Sequence, residues 1–212
     1  HPGSLPEFTN TDNNYTYDFT TNSSNIIAED MGATFLPLGT VNRVEGGISN
    51  RCFTKNQWGI EINKLLYDSK GLPLPKNIEM EINTSYNDEN KELTINTNFT
   101  YTNSIEKNHS ICIFIMEDAI ISPQIDGSEY VEDYEHNHIY RCAVNGTYGE
   151  SIDQFHFISL EGQSDYQSIH TIVFSENANA NWNNDWNNIN NCYVVAYVYN
   201  NENHNKKIHK YI

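Results

Sequence analysis

The sequence predicts an α+β chain: a small mixed α/β unit followed by an antiparallel β-sandwich. Two observations carry this reading. Apolar residues recur at helical spacing up to Leu66, then alternate strictly with polar ones from Lys76 onward. Beyond that point, short apolar runs are separated by polar turns with no helical period between them. Composition agrees, since 26 aromatic side chains among 212 residues exclude a disordered chain.

The elements follow in order. His1 to Phe8 reads as a linker or vector remnant and is set aside. Asn22 to Asn25 offers cap residues for a short helix over Ile26 to Asp30. Phe35 to Arg43 reads as a Pro-interrupted turn feeding a short strand, ended by Gly46-Gly47. Thr54 caps the next helix, with Gln57 at the capping-box position. Trp58, Ile62, Leu65 and Leu66 mark one helical face, and Gly71 to Pro75 stops the helix and forms a stiff linker. The expected boundaries are therefore 9–72 for the α/β unit and 76–212 for the sandwich. A unit of this size is marginal alone.

In the sandwich, Ile78, Met80 and Ile82 alternate with Glu79, Glu81 and Asn83. Asn87 to Asn90 supplies a turn, and Leu93, Ile95, Thr97, Phe99 and Tyr101 alternate again. Ile111 to Met116 is apolar on both faces, as a central strand should be. His136 to Val144, Phe155 to Leu160, Ile169 to Phe174, Tyr193 to Tyr199 and Ile208 to Ile212 add strands. Spacing leaves immunoglobulin-like and jelly-roll arrangements both open.

A net charge of −16 with only 12 Lys and Arg argues against nucleic-acid binding, because a phosphate backbone would be repelled. No run of about 18 apolar residues marks a transmembrane helix. No basic and apolar leader opens the chain, which reads as a mature or trimmed piece of something longer. Cys52, Cys112, Cys142 and Cys192 permit disulfides, but no CxxC occurs, and Cys112 and Cys192 lie in apolar runs that suit buried thiols. The six N-x-S/T matches carry little weight in a chain with 32 Asn.

Candidate chemistry is sparse. His136-Asn137-His138, read as strand, places two imidazoles on one face, where they could hold a divalent metal with Glu117, Asp118 or Glu135 as third ligand. The competing reading has these side chains bracing the Glu117-Asp118 turn. Glu117 and Asp118 point to opposite faces of a strand, which disfavours a glycosidase pair. Glu129, Glu132, Asp133 and Glu135 form an acidic stretch without a calcium-loop pattern. Arg141 is expected to pair with Glu117 or Asp118. Trp182 and Trp186, among Asn and Asp, could stack on a sugar, or plug the end of the sandwich. No GxSxG, Cys–His signature or phosphate loop is present.

Several phrases together resemble a known family. They are Leu36 to Arg43, Ile115 to Gln124, His136 to Arg141, Asn145 to Glu150, and Trp186 with Asn191 to Val198. In that order they resemble the 28-kilodalton outer-membrane protein family of Bacteroidetes. The resemblance implies a thioredoxin-like unit, here truncated, followed by an immunoglobulin-like sandwich. It implies that Pro37 matches the cis-proline position, and it suggests Glu117, Asp118, Gln124 and Arg141 as a structural polar network. Without a cysteine pair in the first unit, it implies no thiol redox activity. The expected function is a non-enzymatic, lipid-anchored protein of the bacterial surface that binds host or neighbouring protein or glycan. The alternatives are a glycan-binding module at Trp182 and Trp186, and a metal-binding protein at His136 and His138.

Overall fold

The computed structural model describes residues 18–43, 45–76, 78–102, 108–126, 128–152, 156–160, 163–174, 189–201 and 210–211. His1 to Phe8, Trp182 and Trp186 lie outside the described residues.

Helix α1 spans Asn22–Met31. Its cap is Thr21, one residue ahead of the expected set, and the Thr21 hydroxyl accepts from the Ser24 N–H at 3.0 Å. Gly32 ends the helix at φ 73, and its N–H bonds the Ala28 and Glu29 carbonyls. Strands β1 (Gly39–Thr40) and β2 (Cys52–Phe53) pair antiparallel. Helix α2 spans Lys55–Leu66. The expected capping box forms: the Gln57 side chain accepts from the Thr54 N–H at 3.1 Å. The apolar stripe of α2 is not buried. Trp58 packs over Gly39 and donates to the Phe53 carbonyl at 2.8 Å, while Ile62, Leu65 and Leu66 stay exposed.

The remainder is two packed sheets. One carries β3 (Ile78–Asn87), β4 (Glu92–Tyr101), β12 (His156–Leu160) and β13 (Gln163–Val173) in the order β12-β13-β4-β3. The other carries β5 (His109–Glu117), β10 (Ile139–Ala143), β14 (Cys192–Asn200) and β15 (Lys210–Tyr211) in the order β10-β5-β14-β15, with β11 (Glu150–Ser151) also on β5. All pairings are antiparallel. Ile95, Phe99 and Tyr101 from the first sheet meet Ile111, Ile113, Ile115, Cys142 and Val198 from the second. This is the expected sandwich core, built by period-two alternation.

β5 is apolar on both faces for a further reason. Its alternate residues Cys112 and Phe114 pair with Tyr197 and Val195, on the face away from the sandwich core. The segment 18–53 covers that face. The Arg43 guanidinium, buried at 4% exposure, lies 5.4 Å and 5.9 Å from the Tyr148 and Tyr199 ring centres. Ser23 bonds Thr147 at 2.9 Å, and the Tyr148 hydroxyl donates to Asp30. Burial and then the Asp30 carboxylate push the Tyr148 phenol above its usual range. The turn that delivers Tyr148 needs Gly149, at φ 68, because a Cβ there would run into the Ile111 carbonyl.

None of the four cysteines is joined in a disulfide. Burial raises the Cys52 thiol pKa, lifts Cys112 to about 11, and lifts Cys192 to about 12. These thiols pack as small hydrophobes.

Candidate functional site

The chain leaves the sandwich at Glu117 and returns at Ile139. Between them it makes four short strands: β6 (Ile120–Ile121), β7 (Gln124–Asp126), β8 (Glu129–Val131) and β9 (Glu135–His136). β6 pairs with β9 and β7 with β8, so the excursion is two stacked hairpin segments.

Its base is tightly held. Glu117 alternates with Ile111, Ile113 and Ile115 on β5, which turns its carboxylate inward, and it is fully buried. Arg141, 5% exposed, meets it at 3.2 Å between Nε and Oε2. A buried charge needs such a partner. Asp118 faces the other way. Its carboxylate accepts from the His138 N–H at 2.6 Å, and the Tyr193 hydroxyl lies 3.4 Å away. The His138 imidazole lies 2.6 Å from the same hydroxyl through Nδ1. The Ala119 N–H donates to the Asn137 side chain at 2.9 Å, and Asn137 donates to Glu135 at 2.9 Å. Ala119 and His138 take φ of 55 and 59, the left-handed turns that exit and re-enter the sheet.

The structure separates the two histidines. β9 ends at His136, and His138 sits beyond it in a turn, so they do not share a strand face. His136 is buried against the rings of Phe19 and Tyr134, with centres 4.8 Å and 5.0 Å away, and its Nε2 lies 3.1 Å from the Ser122 carbonyl. Burial lowers its pKa, and the Ser122 bond opposes that in part. The structure does not bring the expected metal pair together: the imidazoles diverge, and Glu117 is engaged by Arg141. Among the described residues, no group of three His, Cys, Asp or Glu could hold a metal ion.

The four residues suggested as a polar network do not form one network, and only two of them meet each other. Glu117 joins Arg141, and Asp118 joins His138. Gln124 stands opposite Val131 at the start of the β7–β8 hairpin. The Leu36–Pro37 peptide bond is cis.

The tip of the excursion differs from its base. Ile121, Ile125 and Tyr130 are at least half exposed. Glu129, Glu132, Asp133 and Glu135 are exposed around them. From Asp118 to His138 there are six carboxylates and no Lys or Arg. The acidic half of this surface was legible in the sequence. The apolar half was not, because no period in the sequence marks Ile121 and Ile125 as exposed. The signal available was brevity: three-residue strands cannot bury both faces of a hairpin that projects from a sheet.

The model of the outer membrane protein family Omp28 matches residues 24–210. The fold is similar to that of HBP35 of Porphyromonas gingivalis, with a TM-score of 0.60 and 13% identity over 90% of this chain and 55% of that one. The chain thus spans about half the length of that neighbour. No curated protein matches it. The chain belongs to the Omp28 outer membrane protein family, which places it at the outer membrane and cell surface.

Proposed function

We propose that this is a non-enzymatic surface protein that binds a macromolecular partner through the 118–138 excursion. One observation carries the reading: a base locked by buried and hydrogen-bonded side chains presents an exposed apolar tip rimmed by carboxylates. Rigid support lowers the entropic cost of binding, and an apolar centre with a charged rim is the usual anatomy of a protein interface. The sign of the charge favours a partner with a basic surface, and such steering weakens with salt.

The finer fold reading is also ours. The order β1, β2, α2 after Pro37 supports a partial thioredoxin-like unit, and the two antiparallel sheets support an immunoglobulin-like sandwich. Anchoring by lipid belongs with the same proposal and rests on the family alone.

The test is a screen of extracellular matrix proteins and glycans against immobilised protein. We expect a protein ligand whose retention falls with salt and is lost in the double variant Ile125→Ser with Tyr130→Ser, at unchanged melting temperature. Glu117→Gln, at the base, should instead destabilise by about 3–5 kcal/mol, since it strands a buried Arg141. No ligand above background, or one indifferent to the tip, would refute the proposal.

A further inference from the structure

The four-stranded sheet ends on β3, and this edge differs from the others. β3 runs ten residues in unbroken register with β4, from Ile78 opposite Tyr101 to Asn87 opposite Glu92. Among the described residues its other side pairs with nothing, and Asn83 to Asn87 are all exposed. The other edges are short or irregular: β12 has five residues, β15 has two, and β10 is bulged between Tyr140 and Cys142. A long, unbulged, proline-free edge is a template for another strand, and natural edges usually block this with charge, bulges or brevity. Here the only charges are Glu79 and Glu81, and Ile82 to Asn87 carries none.

We infer that the β3 edge pairs antiparallel with the β3 edge of a second copy, about a two-fold axis through Asn83. The sequence of the strand is self-complementary in that register. Directly opposed residues share a sheet face. On the outer face, Glu79 meets Asn87 of the second copy, Glu81 meets Ser85, and Asn83 meets itself. On the inner face, Met80 meets Tyr86 and Ile82 meets Thr84. No carboxylate opposes a carboxylate. Met80 and Ile82 already pack on the sandwich core, and Tyr86 is held edge-on to Phe174 at 6.1 Å, so the inner contacts extend an existing apolar layer. The product is a continuous eight-stranded sheet with about nine new backbone hydrogen bonds. An isologous contact of this kind closes on itself and does not propagate into a fibre. The area of one strand pair falls below that of a typical stable interface, so the dimer is reversible and concentration-dependent.

Ser85 provides the test because it is exposed on the outer face and opposes an acid only in the dimer. Sedimentation equilibrium of the whole chain should show a monomer–dimer equilibrium. Ser85→Glu places two like-charge pairs across the interface and should raise Kd about fivefold, while Ser85→Lys should lower it by a similar factor. Both shifts should shrink at high salt. If Ser85→Glu fails to fold by circular dichroism, Ser85→Lys decides alone. A monomer at every concentration, a dimer indifferent to the charge at 85, or equal weakening by both variants would overturn the inference.

Discussion

The two helices invert what their sequences suggest. α2 carries Trp58, Ile60, Ile62, Leu65 and Leu66 within twelve residues, yet it buries none of them fully. α1 reads Asn-Ser-Ser-Asn-Ile-Ile-Ala-Glu-Asp-Met, yet Ser23, Ala28 and Met31 are buried. The difference lies in what stands opposite. α1 faces the outer side of the five-stranded sheet, where Tyr148 reaches Asp30 and Thr147 reaches Ser23. Among the described residues, α2 packs chiefly on the two-residue strands β1 and β2, which offer Gly39 and the Phe53 carbonyl to Trp58. Burial is a property of a pair of surfaces. The apolar period reports only one of them.

The largest expected loss lies in α1 at Met31, which is 2% exposed. Met31→Ala should cost about 2–5 kcal/mol in urea unfolding, from lost transfer energy and the cavity left behind. A smaller effect comes through pH. His136 packs on Phe19, just ahead of α1, and burial holds its pKa below the ordinary value. The unfolded chain therefore takes up this proton first as pH falls. The stability due to neutral His136 is fully present above about pH 6.5 and is lost progressively as pH falls through the folded value. His136→Gln, which keeps a donor for the Ser122 carbonyl, should flatten the decline of melting temperature between about pH 7 and 5. An unchanged slope would mean that another group drives it. Thr21→Ala removes the α1 cap and should cost about 1 kcal/mol, again by urea unfolding.

Much of the fold was legible because most of the sandwich obeys one rule. β3, β4, β5 and β14 all announce themselves by alternation or by continuous apolar character, and the Asn87 to Asn90 turn lies where the hairpin turns. β13 was legible only from Ile169. Its first half is polar because Asp165 and Gln167 bond across to Thr100 and Asn96 on β4, and even its buried Ser168 is a hydroxyl that bonds Thr97 at 2.5 Å. The Glu117–Arg141 pair was legible as a possibility, since a carboxylate at the end of an apolar strand needs a cation. The divergence of His136 and His138 was not, because it turns on a positive φ at a residue that is neither Gly nor Asn. The role of residues 18–53 as a cover for the second face of β5 was hidden for the same reason as the burial of α1: the partner surface is distant in sequence.

The exposed face of α2 should tolerate polar substitution with the smallest loss of all. Leu66 is 52% exposed and Ile60 is 60% exposed, although Leu and Ile are ordinarily the costliest residues to make polar. Leu66→Ser and Ile60→Ser should each change the unfolding free energy by no more than about 0.5 kcal/mol, as surface substitutions do. Helix propensity bounds the residual loss, since Ser is only a few tenths of a kcal/mol poorer than Leu. Trp58→Ala in the same helix is the internal contrast. It should be clearly destabilising, because it empties the contact over Gly39 and removes the donor to Phe53. If Leu66→Ser instead costs as much as Met31→Ala, then α2 has a partner surface in the folded protein, and its apolar stripe is core after all.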